Sequence, residues 1–342
     1  MACFIVNRMH KMNRGLILVL PLIGVVLLPS LVGNPYFTHI LIMSGVSILL
    51  ALGLNFAVGF GGQMSFAQAA FYGIGAYSSA LLSLKLSWSF WLAFPLAALL
   101  SGVFGFLLGL ITIRLGGYYL VIATLGFQKI VELIISHWNS MTRGTMGITG
   151  IPSPEAITLP RLGTIIKFED INAFYYLILV LVALIILVAV RVKQSRLGLE
   201  LWATREDEIA ARSVGVKSTR VKVIAFTMSA IAGGAAGSFF AHYVHNIHPE
   251  SFNVGISFSI LLMVIIGGTG TIAGSIMGAI FLTVLPEYLR FFQDYKIILF
   301  GLTLMIFVIF FPAGLAGLYE LVIQKYVRRV GRGTDQGGLT PA

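Results

Sequence analysis

The chain has 342 residues, 58% of them hydrophobic and only 11% charged, where soluble domains carry about a quarter charged, and its mean hydropathy is +0.94. This excludes a water-soluble fold, a disordered chain, a collagen and, with Cys3 as the sole cysteine, a disulfide scaffold. The net charge of +10 is concentrated beside apolar runs, at Arg8, Lys11 and Arg14, at 191–222, and at Lys325, Arg328, Arg329 and Arg332, which is a membrane-topology signature and not a nucleic-acid patch.

In chain order, apolar segments are predicted near 16–33, 38–58, 64–84, 90–113, 118–136, 173–192, 221–243, 256–267, 272–291 and 297–317. Backbone in lipid must satisfy its own hydrogen bonds, so each reads as a helix. The runs are continuous and not alternating, which excludes a transmembrane barrel. The predicted fold is an all-α, polytopic bundle of about 10 segments, some Gly-broken or re-entrant. The first run imitates a signal peptide, but further spans follow at once and no small-x-small site appears, so an uncleaved first span is expected.

Three regions follow: a basic cytoplasmic N-terminus (1–15), a transmembrane domain (16–324) and a basic cytoplasmic tail (325–342). Loop 193–220 is expected on the cytoplasmic side, because the surrounding stretch 191–222 holds eight Lys and Arg. Loop 137–172, with three bases and three acids, falls outside. Both termini fall inside if 256–291 is a hairpin broken at Gly267-Gly-Thr-Gly270.

Two glycine-rich interruptions, one in each half, are the expected translocation path: Gly61, Gly62, Gln63 and Ser65, then Gly267, Gly268 and Thr269. Ser47-Ile-Leu-Leu before the first break echoes Ser259-Ile-Leu-Leu before the second, which is consistent with a degenerate repeat. The pairs Gly105/Gly109, Gly233/Gly237 and Gly274/Gly278 have the small-xxx-small spacing that packs helices. Lys129 and Glu132, charges inside a span, are expected to pair at i, i+3. His242, His245 and His248 would share one helical arc, which makes a metal site conceivable, but no cysteine joins them and no metal is assigned. No nucleophile elbow, zinc-protease motif or nucleotide loop occurs, so the chain is not read as an enzyme.

The stretch 203–215 reads as a short capped helix, Arg205–Val214. Thr204 with Asp207 forms a capping box, Glu208 sits in the first turn, Ala210 and Ala211 make a flat face for a partner, and Gly215 stops the helix.

The pattern E-x-A-A-x-x-x-G at Glu208, Ala210, Ala211 and Gly215 resembles the coupling loop of ABC importer permeases. The blocks Gly53–Tyr77, Tyr119–Phe127, Gly147–Pro152, Thr204–Gly215 and Ile265–Ser275 are similar to the branched-chain amino acid permease family, specifically the larger of its two permease subunits. The resemblance implies a second permease, two ATPase subunits that hold the ATP and magnesium, an external substrate-binding protein, and a bacterial inner membrane. No cofactor is expected on this chain. A urea or short-amide importer shares most of these blocks, and an ion-coupled transporter or channel is the rival of another class. Two departures stand out: Lys129 and Glu132 reverse the family's usual order of acid then base, and Thr142–Gly147 replaces its Thr-Gly-Gly run.

Overall fold

A computed structural model describes residues 33–112, 115, 117–159, 163–166, 168, 170–289, 296–310 and 314–317. The expected regions 1–15 and 325–342 and, but for its last residue, the segment 16–33 lie outside the described residues.

Helix α1 (Pro35–Asn55) starts at Asn34, whose side chain accepts from the Tyr36 amide, with Pro35 in the first turn where a missing N–H costs nothing. It ends in a π-helical turn, Phe56–Phe60. Helices α2 (Gln68–Lys85), α3 (Phe90–Thr112), α4 (Tyr118–His137) and α5 (Ile171–Gln194) follow. The next loop carries two short helices, α6 (Arg196–Glu206) and α7 (Glu208–Ser213). Helix α8 (Ser218–Val244) is the long central element, and α9 (Val254–Gly267), α10 (Ile272–Tyr288) and α11 (Lys296–Phe310) complete the bundle.

Short strands lie at one end: β1 (Ile148–Thr149) pairs antiparallel with β4 (Asn246–Ile247), and β2 (Ile157–Leu159) with β3 (Gly163–Ile166). We call this the hairpin end, and the end bearing α6 and α7 the loop end. The 27 residues of α8 connect them, a length of about 40 Å.

Six helices among the described residues are long and apolar enough to cross a membrane: Pro35–Phe60, Phe90–Ile111, Tyr118–His137, Ile171–Gln194, Ser218–Val244 and Pro249–Gly267. Six is a count of the described residues alone: of the ten expected segments, 16–33 falls, but for Gly33, outside them, and α11 is bounded on both sides by residues outside them. Helix α2 begins only at Gln68 because 61–67 is not helical, and 268–271 parts α9 from α10.

Packing follows the small residues. A Cβ on Gly105 would stand 2.3 Å from the Ala230 methyl, one on Gly237 2.0 Å from the Tyr72 carbonyl, and one on Gly278 2.0 Å from the Met263 carbonyl. Each glycine pair read from the sequence thus seats a helix crossing at backbone distance, where dispersion replaces the absent hydrophobic drive in lipid. Buried polar side chains supply the rest. Gln68 Nε2 donates to the Leu50 and Ser229 carbonyls, and its Oε1 accepts from Ser229 Oγ at 2.8 Å. Gln128 Nε2 donates to the Phe252 carbonyl at 2.6 Å, and its Oε1 accepts from Ser257 Oγ.

Candidate functional site

Gln68 is hydrogen-bonded at the level of Ser229, eleven residues or roughly 16 Å up α8. Helix α2 therefore starts near mid-depth, and the non-helical segment 61–67 climbs to it from the loop end. Amides here are met from other elements: in the segment Phe66 N donates to Thr124 Oγ1 at 3.1 Å, and in the first turn of α2 Ala69 N donates to Ser257 Oγ at 2.9 Å. Side chains alternate along it. Gly62 and Met64 are exposed, while Gln63, Ser65 and Ala67 are buried.

The second break meets the first. Gly270 N donates to Asn55 Oδ1 at 3.0 Å, and Asn55 Nδ2 donates to the Thr271 carbonyl at 3.3 Å. Gly270 has φ +80°, open to glycine at no steric cost. From the loop, Arg205 reaches into this junction and donates from Nη1 to the Gly59 carbonyl. Gly62 lies under its stem.

Of the seven expected path residues, Gly62 alone is exposed in the single chain and Thr269 is half-buried. Gly61 N donates to the Phe56 carbonyl as the π turn closes. Gln63 is buried and its Oε1 has no partner among the described residues. Ser65 Oγ accepts from Ala67 N. Gly267 packs on the Gly274 carbonyl, and Gly268, at φ +114°, donates to the Val264 and Ile265 carbonyls. Asn55, Gln128 and Arg205 were missed from sequence as members of this site, and Gln68 belongs to the first interruption without having been assigned to the path. The signal was present: lone amides in apolar runs need partners.

The loop departs from the single helix Arg205–Val214. Asp207 has extended backbone (φ −153°, ψ 109°) and divides it into α6 and α7. Thr204 makes no capping box, because its Oγ1 donates back to the Glu200 carbonyl inside α6 and the residue is buried. Asp207 caps α7 alone, its Oδ1 accepting from Ile209 N at 2.8 Å and Ala210 N at 3.0 Å. Ala211 is only 4% exposed, so it packs inward and offers no face to a partner. The outward face is Ile209, 82% exposed, with Ala210 and Val214. Gly215, at φ +88°, ends the unit.

Glu208 ties this unit down. Its Oε1 accepts from Arg212 and its Oε2 from Lys222, each at 2.6 Å. Partial burial raises the carboxyl's pKa, but the hydrogen bonds and charges of Lys222 and Arg212 outweigh it, leaving the group below the usual carboxylate value.

Lys129 and Glu132 pair on one face of α4 at 2.6 Å. The three histidines do not share an arc. Helix α8 ends at Val244, and His245 takes left-handed φ +63°. His242 Nδ1 donates to the Pro152 carbonyl at 2.7 Å and its Nε2 accepts from Ser79 Oγ, which in turn receives Ser238 Oγ. His245 Nδ1 donates to the Ile151 carbonyl at 2.8 Å. Two of the histidines therefore fasten the hairpin-end loop, and no group of three metal-ligating side chains occurs among the described residues.

The described apolar bundle is thus interrupted at two glycine breaks that meet each other, and it carries a folded loop at one end. Residues 36–308 match the family described as the branched-chain amino acid transport system permease component, and the chain belongs to that family. It is 38% identical over 289 residues to the high-affinity branched-chain amino acid transport system permease protein LivM of Salmonella typhimurium, covering 80% of this chain and 68% of that protein. The LivM protein of Escherichia coli is 38% identical over 286 residues, covering 79% and 67%. The autoinducer 2 import system permease protein LsrC of Yersinia enterocolitica is 27% identical over 203 residues, covering 57% and 52%. No solved structure matches. The chain is thus a multi-pass permease subunit of an ABC importer and not itself an enzyme, and the ion-coupled reading is not favoured.

Proposed function

We propose that this chain forms one side of a path for branched-chain amino acids, paired with a second permease, driven by two ATPase subunits and fed by an external binding protein. The loop end faces the cytoplasm and the hairpin end faces outside. The eight basic residues of 191–222 support that orientation.

Helices α6 and α7 are the ATPase-coupling element. The observation that carries this is the combination of a capped, ion-paired unit with an outward apolar face at Ile209, Ala210 and Val214. Three exposed apolar or small side chains on a charged loop are the composition of a docking surface. The path runs along 61–67, which climbs from the loop end towards the middle of the bundle and exposes Gly62 and Met64. Irregular backbone there is tolerated only against protein or a water-filled cavity, so the second permease or the substrate path covers it. Backbone groups near such breaks suit the charged ends of an amino acid, and the apolar surroundings suit its side chain.

The test is reconstitution of the full transporter in proteoliposomes. Leucine with its binding protein is expected to stimulate ATP hydrolysis and to accumulate inside. Stimulation by urea or acetamide and not by leucine would overturn the substrate assignment.

A further inference from the structure

Arg205 is the one side chain of the α6–α7 unit that the described hydrogen bonds join to the glycine breaks. Two glycines, one from each break, make room for it, and the backbone of a third receives it. A Cβ on Gly62 would stand 2.9 Å from Arg205 Cγ, one on Gly270 would stand 2.5 Å from Nη1, and the Gly59 carbonyl is the acceptor. That carbonyl belongs to the last turn of the helix continued from α1, where backbone acceptors have no partner further along the helix and carry partial negative charge. A guanidinium, permanently charged and rigidly forked, is well suited to cap such an end. The same turn is bonded across to the second break through Asn55 and Gly270.

We infer that Arg205 is a positioning residue for coupled transport, acting as the pin through which movement of α6 and α7 reaches both glycine breaks at once. With the loop at rest, Arg205 caps α1 and sits against Gly270, holding the loop-end mouth of the path together. Displacing the loop withdraws the cap from Gly59 and frees the Asn55–Gly270 contact. The inference rests on the reading of α6 and α7 as the coupling element, and it adds the route by which their motion enters the membrane.

The experiment uses the whole transporter in nanodiscs and proteoliposomes, with leucine as substrate and two readouts: ATPase subunits retained on purification, and leucine transported per ATP hydrolysed. Arg205→Ala is expected to retain the ATPase subunits while transport per ATP falls roughly tenfold. Arg205→Lys, which keeps a donor able to reach the Gly59 carbonyl, is expected to recover most of that loss, whereas a residue of purely structural importance would change yield and leave the ratio alone. A wild-type ratio in Arg205→Ala overturns the inference, and so does loss of the ATPase subunits, which would make Arg205 a docking residue. If Arg205→Ala does not insert, Asn55→Ala parts the two breaks without touching the loop. The same fall in ratio supports the pin, and a wild-type ratio overturns it. Retention of the ATPase by Ile209→Asp would instead refute the coupling-loop reading itself, independently of Arg205.

Discussion

Lys222, in the first turns of α8, donates to Glu208 at the start of α7, 14 positions earlier in the chain, with Nζ and Oε2 separated by 2.6 Å. This ion pair, shared with Arg212, fixes the angle at which the loop leaves the bundle. The carboxyl ionises below its ordinary value, so the anchoring is complete at neutral pH and is lost only as pH falls through that lowered value. Glu208→Gln is expected to raise amide hydrogen exchange across 206–218 at pH 7, with little effect on overall stability, since such pairs contribute about 0.2–1 kcal/mol. Wild-type carrying its own exchange pattern unchanged into Glu208→Gln would refute the anchoring role.

Ile209→Asp is expected to insert normally and to lose the ATPase subunits on purification. Ala211→Trp is expected to do something different. Ala211 is buried, so the indole overpacks the loop and lowers yield and thermal stability before any docking is measured.

Helix crossings built on glycine should tolerate nothing larger. Gly237→Ala places a methyl 2.0 Å from the Tyr72 carbonyl. Overpacking of this kind costs about 1–3 kcal/mol, so a clear drop in melting temperature in detergent is expected. Gly126, with open space where its Cβ would be, should accept alanine with no measurable change.

Sidedness is open to labelling in a Cys3→Ser background. A cysteine at exposed Glu206 should react with an impermeant maleimide only in inside-out vesicles, and one at exposed Thr149 only in intact cells. The reverse pattern would invert the proposed orientation.

Met64 is 46% exposed on the segment that climbs to α2. If that segment borders the path, Met64→Cys should react with a small water-soluble thiol reagent in the assembled transporter, and leucine with its binding protein should slow the reaction. Inertness towards the reagent, together with labelling from the lipid phase, would move the path elsewhere.

The helical class, the glycine crossings and the Lys129–Glu132 pair were legible because each rests on local spacing along one helix. The junction of the two breaks was half legible. The glycines marked both places, but their union depends on Asn55 and Arg205, whose partners lie 215 and 146 positions away in the chain. The loop was misread for a local reason. Thr204 and Asp207 have capping-box spacing, yet threonine can also bond back to the carbonyl four residues earlier, and inside α6 it does. The histidine arc failed because nothing in Tyr243-Val-His245 announces that the helix stops in a left-handed residue.

Helix α8 is a single unbroken cylinder, whereas the first and second halves are each interrupted by glycine. At one end it is strapped to α7 by Lys222, and at the other to the opposite loop by His242 and His245. Gly233, Gly234 and Gly237 seat it against α2 and α3 with backbone touching backbone or side chain, leaving no soft layer to absorb a shift. A tug applied beside Lys222 is therefore expected to arrive at Pro152, about 30 Å along the helix, as travel of the whole strut, so that the two ends of the bundle share one moving part.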